Sequence, residues 1–131
     1  MIVIDTSAWI EHFRGRDTEI PGLLESRLGL LHSSVLGELL LSGLPKNDPV
    51  IEELADLPAA PLVSPTDVHE LILSGGLAGT GVGYVDAHLL ASTRAVPEGR
   101  LLTHDKRLSE QANRLGVLFV RRQASGPEQQ C

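Results

Sequence analysis

Met1-Ile2-Val3-Ile4-Asp5-Thr6-Ser7 opens the chain, and the reading of every later segment hangs on it. Ile2, Val3 and Ile4 form a short β-branched run of the kind that makes a strand buried on both faces. Asp5 follows at the carboxyl end of that strand. Thr6 and Ser7 are favoured N-cap residues, and Ala8-Trp9-Ile10-Glu11-His12-Phe13-Arg14 reads as the helix they open. A carboxylate at the tip of a central strand is costly to bury unless something compensates it. Asp5 therefore has two readings, a local helix cap or a member of a site, and the rest of the chain has to separate them.

Further along, strands and helices alternate. Asp17 or Thr18 can cap a helix carrying Ile20, Leu23, Leu24 and Leu28 at helical spacing, with Pro21 in its first turn. Leu30-Leu31-His32 is a second strand, and Ser33 or Ser34 caps a helix through Leu41 that stops at Gly43 and Pro45. That helix is apolar almost all round, which predicts extensive burial, and Glu38 is its one charge. Asn47 or Asp48 caps the next helix, which carries Val50, Ile51, Leu54 and Leu57 on its inner face. Leu62-Val63 reads as a short strand, and a helix begins at Pro65 and runs to about Leu77. The glycine-rich stretch 75–83 follows a helix and lacks the spacing of a dinucleotide fingerprint, so it reads as a flexible loop. A mostly apolar helix at 84–92, a strand at 100–103, a helix at 106–115 closed by Gly116, and a strand at 117–120 complete the pattern. The alternation predicts an α/β fold with a parallel central sheet of four to five strands and helices on both faces. Residues 1–121 form one domain in this reading, and the polar stretch 122–131 a disordered tail.

A formal charge of -6 argues against a protein that holds nucleic acid through a broad basic surface. It leaves room for a nuclease whose phosphate contact runs through a bound cation. Trp9, Phe13, Tyr84 and Phe119 are the only aromatics, so recognition by stacking along a single strand is not expected. Trp9 and Phe13, at i and i+4, read instead as a packed pair. No secretory signal pattern is visible, and no apolar run approaches the ~20 residues of a membrane span. The single cysteine, Cys131, gives neither an intrachain disulfide nor a thiolate metal site. A cytoplasmic protein is the expectation.

In a parallel α/β sheet, residues after a strand and residues in the first turns of the returning helices lie at the same carboxyl edge. Asp5 and Asp105 follow strands, whereas Glu38 and Asp86 are lone acids in otherwise apolar helices. All four are predicted to face one crevice. Two unit charges at 4 Å repel by roughly 4 kcal/mol at an effective dielectric of 20. Such a group calls for protonation or for a divalent cation, and an all-oxygen set suits Mg²⁺ or Mn²⁺ better than zinc. Metal-assisted phosphodiester hydrolysis is the chemistry this predicts. His88, two residues after Asp86, points to another helix face and reads as surface or packing. His104 is either a neighbour of the site or a solvent-facing strand end.

Four segments together carry a resemblance to a known family: Ile-Val-Ile-Asp-Thr-Ser-Ala-Trp at 2–9, Glu38 in its helix, Tyr-Val-Asp-Ala-His-Leu-Leu-Ala-Ser at 84–92 and Leu-Leu-Thr-His-Asp-Lys-Arg-Leu at 101–108. In order and spacing they resemble a PIN domain, closest to the VapC-type ribonuclease toxins of bacterial toxin–antitoxin modules. The resemblance implies a PIN-like three-layer fold and Mg²⁺- or Mn²⁺-dependent endonucleolytic cleavage of structured RNA such as tRNA. It also implies a small antitoxin protein as partner and a homodimer. By position Asp5, Glu38, Asp86 and Asp105 match the family's catalytic and metal-binding acids, and Thr6 and Thr103 its polar neighbours. Where family members often carry an arginine beside the last acid, this chain has His104.

Two rival readings share the architecture. A receiver-like Mg²⁺-binding signalling domain needs an aspartate on the middle strand, which Leu62-Val63-Ser64 does not supply, and a lysine where Arg121 stands. A non-catalytic binding module would keep the acids without the activity.

Overall fold

The computed structural model describes residues 1–44 and 48–120. Strand β1 (Ile2–Ile4) lies at the centre of the sheet, between β2 (Gly29–Leu30) and β3 (Arg100–Leu102), and both pairings are parallel. Val3 sits opposite Leu30 on one side and Leu101 on the other. All three residues of β1 are buried, which matches a β-branched run enclosed on both faces. Around the sheet stand α1 (Thr6–Phe13), α2 (Ile20–Glu25), α3 (Ser33–Leu41), α4 (Pro49–Ala55), α5 (Pro65–Ser74), α6 (Tyr84–Ala95) and α7 (Lys106–Arg114). Helix α6 packs on β1 and β3, α2 on β2, α1 on α2 and α3, and α5 on α6. Ile4, Leu89, Leu90, Leu101 and Leu108 are fully buried where these elements meet. Each such side chain contributes about 1.5–3 kcal/mol relative to exposure.

The expected sheet of four to five strands is corrected to three among the described residues. At each edge, pairing shrinks to a single bridge, Leu31 with Ala59 and Leu101 with Leu118. On the first edge the cause is proline. Pro58 and Pro61 flank Ala59 and Ala60, fix φ and lack an N–H, so no ladder extends past Leu31. Leu62, expected in a strand, is exposed instead. On the other edge the chain turns at Gly116, whose φ of +77° suits only glycine at no cost. Val117 accepts from Leu101 N–H at 2.7 Å, Phe119 donates to Leu101 at 2.9 Å, and Val120 then points outward.

Smaller shifts have local causes. Strand β2 ends one residue after Gly29, because Leu31 makes only its bridge and His32 is committed to capping α3. Helix α3 buries only the stripe Val35 and Leu39, while Leu40 and Leu41 are 48% and 88% exposed. The prediction of an extensively buried helix therefore fails, since one stripe at i, i+4 is buried and Leu40 and Leu41 are exposed. Trp9 and Phe13 do pack together, with ring centroids 6.0 Å apart. Among the described residues, no helix is long and apolar enough to cross a membrane. The proposed cap Asn47, the stop at Pro45, and the tail 122–131 with Cys131 lie outside the described residues.

Candidate active site

Strand pairing runs one residue beyond β1, for Asp5 N–H donates to Leu102 at 3.1 Å. The chain then turns into α1, and Asp5 rather than Thr6 or Ser7 is its N-cap. Oδ1 of Asp5 accepts from Ala8 N–H at 3.0 Å and from the Ser7 hydroxyl at 2.8 Å. Oδ2 accepts from the Thr103 hydroxyl at 2.6 Å. The cap reading and the site reading of Asp5 are thus both true of one residue. Burial pushes its carboxyl pKa up; the hydrogen bonds from Thr103, Ala8 and Ser7 pull it down without cancelling the rise, and the charge of Asp86 adds to it.

Of the other three acids, two lie on helices and the third follows β3. Glu38 lies on α3, where Oε1 accepts from the Thr6 hydroxyl at 2.5 Å. Asp86 is the third residue of α6, and its Oδ2 accepts from Gly83 N–H at 3.1 Å, closing the first turn. Burial raises its pKa, the Gly83 N–H opposes that, and the charges of Asp105 and Glu38 raise it further. Asp105 caps α7 through Oδ1, which accepts from Leu108 N–H at 3.0 Å. Asp5, Glu38, Asp86 and Asp105 line one pocket of about 250 Å³ with Thr6, Ser7, Ile10 and Leu89. Among the described residues, no lysine or arginine is in its walls. Glu38, Asp86 and Asp105 each tie one oxygen to the protein. Among the described residues their second oxygens take no hydrogen bond. As the side chains stand, no three histidine, cysteine, aspartate or glutamate groups among the described residues are close enough to hold one ion together.

A hydroxyl relay supports the pocket floor. Ser7 Oγ accepts from His104 N–H at 2.9 Å while donating to Asp5. Thr103 Oγ1 accepts from Asp105 N–H at 3.0 Å while donating to Asp5. One turn, residues 103–105, therefore holds two of the four acids in place.

Two supporting residues were not singled out for the site by sequence reasoning. Asp17 was read as a cap, and its Oδ1 does accept from Glu19 and Ile20 N–H at 2.7 Å each. Its Oδ2 also lies 2.7 Å from Nε2 of His104. Burial pushes the Asp17 pKa up, but the hydrogen bonds from His104, Ile20 and Glu19 outweigh it and leave the group below the ordinary carboxylate value. His32 caps α3, the helix carrying Glu38, with Nδ1 accepting from Ser34 N–H at 3.0 Å. Burial, and then the nearby His88, depress its pKa. The signal for His32 was faint because histidine is not among the preferred caps. His88 itself does not line the acid pocket; it meets the Tyr84 ring edge-on at 4.7 Å.

Comparison with known proteins identifies the family. The model of the PIN domain matches residues 2–114. Ribonuclease VapC32 of Mycobacterium tuberculosis, from strain CDC 1551 / Oshkosh and from strain ATCC 25618 / H37Rv alike, is 40% identical over 120 residues. Those residues span 92% of this chain and 97% of the relative. With nearly its whole length matched in both ways, the chain belongs to the PIN-domain family and is of its VapC type.

Proposed function

We propose that this protein is a Mg²⁺- or Mn²⁺-dependent endoribonuclease toxin that hydrolyses phosphodiester bonds of tRNA or another structured RNA. The observation that carries this reading is the meeting of four carboxylates, brought by two strand ends and two helices, in one pocket without a cationic wall. An anionic, all-oxygen donor set of this kind fits a hard divalent cation. The second oxygens of Glu38, Asp86 and Asp105 add to that fit, because each is spare while its partner oxygen anchors the side chain. The relative's name, a ribonuclease, points the same way.

In this reading Asp5, Glu38, Asp86 and Asp105 hold the cation. When bound, the cation supplies Lewis-acid stabilisation of phosphoryl charge and activation of the attacking water. Asp5 is the fixed member, since three hydrogen bonds hold its carboxylate and leave it one further lone-pair direction. Thr6 aims Glu38, and the caps of α6 and α7 aim Asp86 and Asp105. Ile10 and Leu89 wall the pocket with apolar surface, which lowers the local dielectric and strengthens each charge interaction.

A small antitoxin fits the apolar side of the molecule. Leu40 and Leu41 are exposed on α3. A groove of about 360 Å³ runs between α3 and α4, walled by Leu31, Leu36, Leu54, Leu57, Ala60 and Leu62 among others. An amphipathic helix laid there would bury surface that the fold leaves bare. A homodimer completes the proposal, with sedimentation of the purified protein as its test.

Purified protein is expected to cut RNA internally with Mg²⁺ or Mn²⁺ and to stop when chelated. Asp86→Asn and Asp105→Asn, each verified as folded by its melting transition, are expected to lose about 10²-fold or more in rate. A folded Asp86→Asn variant that cuts at the native rate would sink the acid-site assignment. Sequencing the fragment ends identifies the RNA and the position cut.

A further inference from the structure

The acid pocket has a neighbour of opposite character. A second pocket, of about 520 Å³, is walled by Ser7, Ile10, Glu11, Arg14 and His104. Ser7 and Ile10 belong to both, so the two open side by side. The first collects four acids, whereas the second has the Arg14 guanidinium facing one acid, Glu11, beside an imidazole that is bonded to Asp17. Glu11 is also contested: its Oε1 lies 3.4 Å from Arg14 and its Oε2 lies 3.8 Å from Arg16. Arg14 is 59% exposed at its side chain, so its pairing is long, screened by solvent and easily exchanged. The far wall, in contrast, is built. His104 is held by Asp17, whose side chain is wholly buried, and its backbone N–H is held by Ser7.

Resting on the ribonuclease reading above, we propose that this second pocket is a subsite for the RNA phosphodiester flanking the scissile one, with Arg14 as its contact. An RNA strand laid across both pockets places one phosphate among carboxylates, where only a cation makes it welcome. The flanking phosphate then meets a guanidinium, which binds phosphate oxygens through paired N–H donors without help. The subsite reads backbone and not base, because its donors address charge. In a chain of net charge -6, the guanidinium supplies a phosphate contact beside the acid pocket.

The test is binding, with cleavage as a separate readout. A fluorescent single-stranded oligoribonucleotide is titrated by anisotropy over a salt series, with Ca²⁺ in place of Mg²⁺. Arg14→Ala is expected to weaken binding several-fold and to reduce the slope of log K against log salt by about 0.7, the loss of one phosphate contact on a single strand. Arg14→Lys should restore most of the slope. Arg94→Ala, altered in a separate cavity at α5 and α6, should change neither. An Arg14→Ala protein with native affinity and slope overturns the subsite, and so does an equal loss in Arg94→Ala. In cleavage the subsite predicts a several-fold rise in KM with kcat within about twofold. A native protein that binds RNA with the Arg14-dependent slope but never cuts it would overturn the ribonuclease reading while upholding the subsite.

Discussion

Asp5 accepts three hydrogen bonds, caps a helix and still faces the pocket, because an ionised carboxylate offers about four acceptor directions. The strand-acid-helix order showed that one of Asp5, Thr6 and Ser7 caps the helix, but it favoured Thr6 and Ser7 over Asp5, the actual cap. The partner of His104 was not legible, because Asp17 lies 87 residues away in sequence and its own local signal was that of a helix cap. Asp86 provides the sharpest single-residue test. Its raised pKa means that the folded state disfavours its charge, and the causes are burial and neighbouring acids. Metal-free stability therefore rises as pH falls from neutral through that raised pKa, the gain being complete below the unfolded value near ~3.9. Asp86→Asn keeps an acceptor for Gly83 and removes the charge, so in chelator it is expected to melt above the native protein at neutral pH. That advantage should shrink as pH falls. A variant melting lower than native in chelator would contradict the clustering of charge. Asp17 has the opposite sign: its stabilisation is present above the ordinary carboxylate pKa and is lost as pH falls through its depressed value. Asp17→Ala removes two capping bonds and the His104 partner, at a cost of about 1–3 kcal/mol by denaturant unfolding.

At the scale of elements, the helices were more legible than the sheet. Helices α1, α5, α6 and α7 announce themselves by apolar residues at helical spacing between turn residues, both carried within about a dozen residues. Strand count depends on pairing between distant segments, and here prolines at 58 and 61 and the turn at Gly116 end the pairing at single bridges. Helix α3 misled for a related reason. Its leucines all look like core, yet a nine-residue helix with one buried stripe can hide only Val35 and Leu39. Leu39→Ala is accordingly expected to cost about 2–5 kcal/mol. Leu41→Lys should stay within about 0.5 kcal/mol of native in the same denaturant titration. If α3 receives the antitoxin, Leu41→Lys should nonetheless weaken that complex, as pull-down with the cognate partner would measure.

At the scale of the whole molecule, a cation held by the four acids, as proposed, would couple the stability of the fold to its own occupancy. Bound Mg²⁺ stabilises the native state by RT ln(1 + [Mg²⁺]/Kd), about 2.7 kcal/mol at 100 times Kd. The native protein should gain this in thermal melts, and Asp86→Asn should gain less from the same Mg²⁺. Equal gains would mean that Asp86 is not a ligand. His32 adds a separate pH effect: its depressed pKa means that stability is lost as pH falls below the ordinary value near ~6.5, in the metal-free and metal-bound protein alike. The sheet carries a further consequence, one of timing. Strand β1 finds β3 across nearly a hundred residues, and Thr103 reaches back to Asp5 over 98. Pairing between ends so far apart is slow to close and cannot begin before the later segment exists. On the ribosome, Asp5 is made well before Thr103 and Asp105 and waits for that turn before its pocket can form. Until that turn exists Asp105 itself is missing, so any cleavage that depends on all four acids has to wait for it.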